Sequence, residues 1–432
     1  MGNKLKALKC FVSLALFLSL SLMGCAAVYR PPQREEGSRG SAKSVTLTIL
    51  EGQSTSDAGI QDMLTDMLKS KFPNVNFEWE SVDWGEQFSS QMQAEFASGE
   101  FPDLIIGKAQ DVATYALPGY LAPLKNELAS YMTPEGLHAG TVNGKLYGAP
   151  YNAVYQGVLY NKNLFWRYNV RPPKTLKELN NITERFKQVG ITPFAAHFKE
   201  NWYIGNITMQ FVTNEIFLKN PLWGSEMRQG LHSFSASKEY AVCILHVRDI
   251  LNNTWNDAFG IEQAQSDKRF ANGEAAMYLT GSWSIQSIHA IRPDLALGIF
   301  PYPNQDGNAK LIFEPNLTFM KSSKTKNSDL VDQILLTVFK DNDLAESIFD
   351  FTQTSSMLKS VPSRYPALIH SDIEAYTKAE QTTDVTVGNT QLIWSFQDSY
   401  SRKISEWLGG KRELSSVLQY MDSNKEDSFK KE

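Results

Sequence analysis

The side chains suited to covalent or metal chemistry are sparse and unpaired in this sequence. Six histidines stand at 138, 197, 232, 246, 289 and 370, and none pairs into HExxH or another metal-ligand spacing. The G-x-S-x-G elbow, the P-loop and the Rossmann glycine fingerprint are absent from the sequence as well. A glycosidase needs two carboxylates roughly 5–10 Å apart across the scissile bond, and no local motif suggests such a pair. Cys10 and Cys25 lie near the start, which leaves Cys243 in the apolar, helix-compatible run Tyr240-Ala-Val-Cys-Ile-Leu. One thiol makes neither an intrachain disulfide nor a metal site, so Cys243 reads as a small buried hydrophobe. No enzyme, metal centre or cofactor is expected. Aromatic residues make up 12% of the chain, a somewhat generous share.

The first residues have a separate task. Lys4, Lys6 and Lys9 form a positive stretch with no acid among them, and Phe11 to Leu22 follow as an apolar run too short to span a bilayer comfortably. The run ends at Leu22-Met23-Gly24-Cys25, which resembles the lipobox of bacterial lipoproteins, although Met23 stands where Ala, Ser or Thr is usual. The resemblance implies a signal peptide at 1–24 and lipidation of Cys25 (palmitate and diacylglycerol), with multiple chains anchoring the protein to the extracytoplasmic face of the cell membrane. Residues 25–43, with Pro31-Pro32, Gly37 and Gly40, read as a flexible tether. Removal of 1–24 takes three lysines with it and moves the formal charge from −5 to −8. An acidic chain without a basic block gives no support to nucleic-acid binding. The remaining roughly 390 residues exceed what one core usually holds, so two lobes are expected.

The elements that must position any site begin at Lys43. Val45, Leu47 and Ile49 alternate with Thr46 and Thr48 as a strand does. After a loop at Glu51–Gly59, the residues Ile60, Met63, Leu64, Met67, Leu68 and Phe72 share one face of an amphipathic helix. Val75, Phe77 and Trp79 alternate again, a helix from about Trp84 to Ser98 ends at Gly99, and Leu104-Ile105-Ile106 reads as a short buried strand. Strand, helix, strand, helix, strand is the rhythm of a parallel sheet with helices on its faces, so the fold class is α/β. Ligands bind such sheets beyond the carboxyl ends of their strands. The loops at Glu51–Asp57 and Gly107–Asp111 leave such ends, which makes Glu51, Gln53, Ser54 and Asp111 candidate polar partners of a ligand.

A family resemblance covers most of the mature chain. Its fragments include Phe96-Ala-Ser-Gly-Glu-Phe-Pro-Asp103, Gly119-Tyr-Leu-Ala-Pro-Leu124, Asn143-Gly-Lys-Leu-Tyr-Gly-Ala-Pro150 and Val158-Leu-Tyr-Asn-Lys-Asn-Leu-Phe165. Pro173-Lys-Thr-Leu-Lys-Glu-Leu179, Gly190-Ile-Thr-Pro-Phe194, Phe270-Ala-Asn-Gly-Glu-Ala-Ala-Met277, Gly281-Ser-Trp283 and Gly298-Ile-Phe-Pro-Tyr-Pro303 follow in order. In that order they resemble family 1 of the extracellular solute-binding proteins, the group that contains the maltose-binding protein. Most of these motifs are architectural: Asn143-Gly144 is a hairpin turn, Thr175–Glu178 a capping box, Asn272-Gly273 a turn before a strand. The resemblance implies a two-lobed fold, each lobe a mostly parallel sheet flanked by helices. Lobe 1 would be 44–153 with 316–365, lobe 2 would be 154–315 with 366–424, and 425–432 would fray. Tyr151–Val154 and Phe313–Leu317 are then the hinge crossovers. The implied function is a monomeric receptor that captures a sugar or oligosaccharide by hinge closure and passes it to ABC permease subunits. A receptor for a non-sugar solute, or one that feeds a sensor kinase, is the alternative; a secreted glycan-acting enzyme is more remote.

A sugar presents apolar C–H faces and a rim of hydroxyls, so it asks for flat aromatic platforms and fixed amides or carboxylates. Trp283 follows a glycine and a serine that keep its approach open, and the family often stacks a ring on a sugar at this position. Glu200, Trp202 and Tyr203 follow the strand-like Pro193–His197, where the family commonly places an acid and an aromatic. Trp394 in Leu392-Ile-Trp-Ser-Phe396 corresponds to a late aromatic contact, in a stretch whose alternation suits a strand or packed turn. Tyr151, Asn152 and Gln156 at the crossover complete the candidates, while Asp103 is expected to cap rather than bind.

Overall fold

The structure, a computed structural model, describes residues 44–53, 55, 59–82, 86–99, 101–361, 367–385 and 394–425. The signal peptide, the tether with Cys25, Ser54, Trp84, residues 426–432 and the side chain of Trp394 lie outside the described residues.

The alternating residues after Ser44 form β1 (Val45–Gly52), followed by β2 (Val75–Val82), β3 (Leu104–Gly107) and β4 (Leu121–Ala122). Strands β2 and β3 flank β1 in parallel, with Val45 opposite Val75 and Ile49 opposite Leu104. The helix Ile60–Lys71 between β1 and β2 buries Ile60, Leu64 and Leu68, the stripe that its periodicity predicts. A small hairpin, β5 (Thr141–Val142) and β6 (Lys145–Leu146), turns at Asn143 and Gly144, both at positive φ. Strand β7 (Gly148–Pro150) then joins the first sheet.

From there the chain crosses into a second sheet made of β8 (Asn152–Asn161), β9 (Thr192–Ala195), β10 (Ala275–Gly281), β11 (Leu297–Phe300) and β12 (Leu311–Pro315). It returns to the first sheet with β13 (Thr318–Ser322), and adds β14 (Ser355–Ser356) and β15 (Thr382–Asp384) to the second. The pairing is more mixed than the strand–helix rhythm alone predicts. β13 runs antiparallel to β3, β4 and β7, and β8 runs antiparallel to β10, β11, β12 and β14. The crossovers are themselves tied: Tyr151 N donates to Leu317 O at 2.8 Å, Asn316 N to Asn152 O at 2.8 Å, and Met357 N to Tyr151 O at 3.0 Å.

Each sheet has its own core. Leu47, Ile49, Ile106 and Phe319 of the first pack with Val338, Phe339 and Phe349 from the helices Ser328–Lys340 and Asn342–Thr352. Val158, Leu159, Phe194 and Met277 of the second pack with Phe186, Phe211 and Phe270. The helices Trp394–Leu408 and Leu414–Ser423 add Tyr400, Ile404, Trp407 and Val417 to that second core. The strand or packed turn expected around Trp394 is therefore corrected from Trp394 onward: Tyr400, Ile404 and Trp407 recur at helical spacing, and this longer period prevails over the short alternation. Thr175 and Glu178 form the reciprocal capping box, and Asp103 clamps rather than binds, accepting from Thr48 N at 3.0 Å and from Thr325 and Asn327.

One buried ion pair joins β13 to the helix beside it. Lys321 Nζ lies 2.8 Å from Asp332 Oδ1, and each side chain is only 5% exposed. Asp332 also lies 3.6 Å from Lys125 Nζ, so it is removal of Asp332 that strands a charge, that of Lys321, in the core. Asp332→Ala is expected to cost about 3–5 kcal/mol, read as a large fall in melting temperature. Lys321→Met combined with Asp332→Leu should recover most of the loss. A single variant as stable as the native protein would contradict this assignment.

Candidate functional site

The parallel pairing of β9 with β10, which sets Ala195 opposite Tyr278, brings two distant segments together at one end of the second sheet. Past β9 the chain runs through His197 to Glu200, where the helix Asn201–Val212 begins. Past β10 it runs through Gly281, Ser282 and Trp283 into the helix Ser284–Ile291. Ser282 is stapled to β8 by its N–H, which donates to Tyr155 O at 2.8 Å, and by its hydroxyl, which accepts from Tyr155 N at 3.1 Å. This fixes Trp283 in place. Its indole lies so close over Gly281 that a Cβ there would come within 2.1 Å of the ring.

The Trp202 and Trp283 rings meet edge to face, with centroids 6.4 Å apart and planes at 67°. Beside them sits Glu200, whose side chain is 30% exposed. Trp202 Nε1 donates to Glu200 Oε1 at 3.2 Å, and the backbone N–H of Gln263 donates to Oε2 at 2.7 Å. His197 Nδ1 lies 2.8 Å from the same Oε2. Burial pushes the Glu200 carboxyl up, but the nearby His197 ring and the hydrogen bonds from Gln263 and Trp202 together hold it below the usual range. The result is two half-buried aromatic faces around an ionised carboxylate of fixed direction. Tyr203 is fully buried behind them, its ring 4.0 Å from that of His197, and supports the wall without reaching its surface.

A second feature, which the sequence reading misses, is a chain of buried amides beneath this wall. Gln210 Nε2 donates to Asn206 Oδ1 at 2.9 Å, Asn206 Nδ2 to Gln156 Oε1 at 3.1 Å, and Gln156 Nε2 to the carboxylate of Glu314 on β12. Every donor in the chain points toward Glu314, so the amide dipoles reinforce one another. Burial raises the Glu314 carboxyl, opposed by the charge of Lys108 and the Gln156 donor. Asn214, one turn further, bonds both ways with Lys310, donating to its carbonyl at 3.2 Å and accepting from its N–H at 2.7 Å. The signal was available as the amides 206, 210 and 214, four apart along the largely buried helical run 201–217.

In the first sheet, Glu51, expected in the loop, is instead the penultimate residue of β1 and pairs with Ser81 and Ile106, while Asp111 lies beyond the carboxyl end of the adjacent strand β3. Glu51 is fully buried and accepts from Ser81 Oγ at 2.9 Å; Asp111 is buried and Gln53 half-buried. Lys108, from the same edge, is the group whose charge reaches Glu314 across the crossovers. Two crossover candidates are corrected. Tyr151 points into the first core, its ring 5.2 Å from Phe339 and 5.7 Å from Phe319, and offers nothing to a ligand. Asn152 is buried, with Nδ2 donating to Thr354 Oγ1 at 3.1 Å, and ties β8 to the segment before β14. Both side chains face the interior of the protein. Among the described residues no group of three or more His, Cys, Asp or Glu side chains is placed to hold a metal ion.

Comparison with known proteins gives a consistent result. The family model described as bacterial extracellular solute-binding protein matches residues 51–341. The multiple sugar-binding protein of Streptococcus mutans is 24% identical over 302 residues, which cover 68% of this chain and 71% of that one. The melibiose/raffinose/stachyose-binding protein MelE of Bacillus subtilis is 25% identical over 304 residues, 67% of either chain. Among solved structures, a chitin oligosaccharide binding protein shares the fold with a TM-score of 0.74 at 19% identity, over 89% of this chain and 99% of that one. A sugar transporter protein of Bacillus licheniformis in complex with stachyose gives 0.73 at 17%, over 88% and 99%.

The close seat of Trp283 yields a direct prediction. Gly281→Ala must displace the indole, at a cost of about 1–3 kcal/mol for overpacking. Acrylamide quenching of tryptophan fluorescence, compared with Trp283→Phe as reference, is expected to show the ring more accessible. Unchanged quenching and stability would mean that the ring does not rest on Gly281.

Proposed function

This chain belongs to the bacterial extracellular solute-binding proteins, which are carriers rather than catalysts, and on that premise we propose that it captures a sugar or oligosaccharide between its lobes for an ABC importer. The observation that carries the reading is the Trp202–Trp283 wall with Glu200 set beside it. Aromatic faces cover the apolar C–H side of a pyranose, and a fixed carboxylate accepts from its hydroxyls. The buried amide chain ending at Glu314 braces the wall from beneath. Among the described residues no cluster of like charge lines the wall, which suits a neutral solute better than an ion. The names of the relatives, which bind multiple sugars or melibiose, raffinose and stachyose, support the same class.

The lobes divide as 44–153 with 316–365 and 154–315 with 366–424, a division supported by the two separate cores. The crossovers at Tyr151–Val154 and Phe313–Leu317 serve as the hinge. The ligand stabilises closure by its extra contacts with the second lobe it meets, since only differential affinity shifts such an equilibrium. Permease subunits read the closed form, and ATP is hydrolysed elsewhere in the importer. The protein acts as a monomer held to the membrane by lipid on Cys25; no helix among the described residues is long and apolar enough to cross a membrane.

A thermal-shift series tests this with melibiose, raffinose, stachyose, maltodextrins and chitin oligosaccharides, against amino acids and polyamines. A ligand at a hundred times its Kd stabilises the native state by about 2.7 kcal/mol. One glycan series is expected to raise Tm, with the shift abolished in Trp283→Ala and reduced in Trp202→Ala. A shift with a charged solute alone would overturn the sugar reading.

A further inference from the structure

The wall has a fourth member, which the sequence reading passes over. Resting on the saccharide reading of the cleft, we propose that the Gln263 carboxamide contacts the sugar directly: its oxygen accepts one hydroxyl beside another that Glu200 accepts, so the wall selects a neutral ring with two neighbouring hydroxyls that both donate.

Gln263 opens the helix Gln263–Ala271, and its backbone is locked to the Glu200 segment at three points. Lys199 N donates to Ile261 O at 3.3 Å, the Lys199 ammonium pairs with the Glu262 carboxylate, and Gln263 N donates to Glu200 Oε2 at 2.7 Å. The side chain then reaches to the other half of the wall, where Nε2 donates to Ser284 Oγ at 3.4 Å. Ser284 directly follows Trp283. These contacts close a circuit. Trp202 Nε1 and Gln263 N both bond Glu200, Gln263 Nε2 bonds the neighbour of Trp283, and the Trp283 ring meets that of Trp202 edge to face. Trp202, Glu200, Gln263 and Trp283 are all half-buried, while Ser284 and Asp267 are buried. The half-buried four form the surface of the wall, and the buried two lie beneath it.

The direction of the carboxamide follows from what lies under it. Ser284 Oγ, itself 3.1 Å from Thr280 Oγ1, takes the amide donor. Asp267 stands one helical turn on from Gln263, on the same face of the helix, and its Oδ1 is buried without a hydrogen-bond partner. Two acceptors below call for the NH2 end of the amide, which turns Oε1 away from them. No donor among the described residues bonds Oε1, and it is not buried, so it reaches solvent at the wall.

Two acceptors then stand side by side at the surface, an ionised carboxylate and a neutral amide oxygen. Hydroxyls on adjacent carbons of a pyranose can donate to both while the C–H face of the ring rests on an indole. A ring that turned a carboxylate to the same place would meet two acceptors and no donor. Because the second acceptor is an amide, it adds directionality without placing a second charge beside Glu200.

The test uses the purified protein with raffinose as probe, or the strongest binder of the saccharide series should that be another sugar. Gln263→Leu keeps the side-chain length and leaves the backbone N–H on Glu200, but removes the amide. Calorimetric Kd is expected to rise roughly 3- to 10-fold, as for one neutral hydrogen bond lost, with the Tm of the sugar-free protein close to native. The crystal structure of the native complex is expected to place a sugar hydroxyl about 2.6–3.0 Å from Gln263 Oε1, with the hydroxyl of the adjacent carbon on Glu200. An unchanged Kd in Gln263→Leu overturns the proposal. So does a raised Kd with no sugar hydroxyl on Oε1, which would make Gln263 a brace for Ser284 and Trp283. A native protein that binds no saccharide defeats the sugar reading itself, a result distinct from a native protein that binds while Gln263→Leu binds equally well.

Discussion

A ten-residue strand with every position buried, β8, is the constraint on which the rest of the molecule depends. It begins at the crossover, where Asn152 O accepts from Asn316 N, and it pairs with β10, β11, β12 and β14 in turn. Tyr155 on β8 supplies both hydrogen bonds that staple Ser282 and so seat Trp283. The next residue, Gln156, sits opposite Gly281 and links Asn206 to Glu314. A shift of β8 by one residue would turn its side chains to the other face and break the wall, the floor and the hinge at once. On the proposed reading, β8 would couple recognition to lobe movement, because the wall and the crossovers are both built on this strand.

The wall is stiff where a sugar would need it to be. Trp283 rests on a glycine, Glu200 accepts from Trp202 and from the Gln263 backbone, and the amide chain has a defined direction because it ends at a carboxylate. Preorganisation of this kind lowers the ordering entropy that a ligand would otherwise have to offset. The buried amides carry the opposite liability, since a chain with one member missing leaves unsatisfied polar groups in a low-dielectric interior. Their placement beneath the wall therefore links the integrity of the second core to the shape of the site.

Much of the fold was legible because its signals are local. The alternation of Val45, Leu47 and Ile49, the stripe from Ile60 to Leu68, the Asn143-Gly144 turn and the Thr175–Glu178 capping box each need only a few consecutive residues. The site was legible in part. Trp202, Trp283 and Glu200 are identifiable singly, but their meeting depends on the pairing of β9 with β10, which no local pattern encodes. Tyr151 shows the complementary failure: a crossover residue is near the cleft in the backbone, and whether its side chain faces ligand or core is decided by Phe339, Phe349 and Val338 arriving from far along the chain. His197 resembles any lone histidine until its distance to Glu200 is known. The apolar alternation around Trp394 was too short to outweigh the helical period that follows it.

The central claim is that a saccharide bound at the Trp202–Trp283 wall draws the two lobes together about the crossovers. Small-angle X-ray scattering of the purified protein, with and without a saturating saccharide, tests it most directly. The account predicts a smaller radius of gyration in the presence of the sugar and no change in Trp283→Ala at the same concentration. A native protein saturated with sugar, shown by calorimetry, whose radius of gyration stays the same would contradict capture by closure.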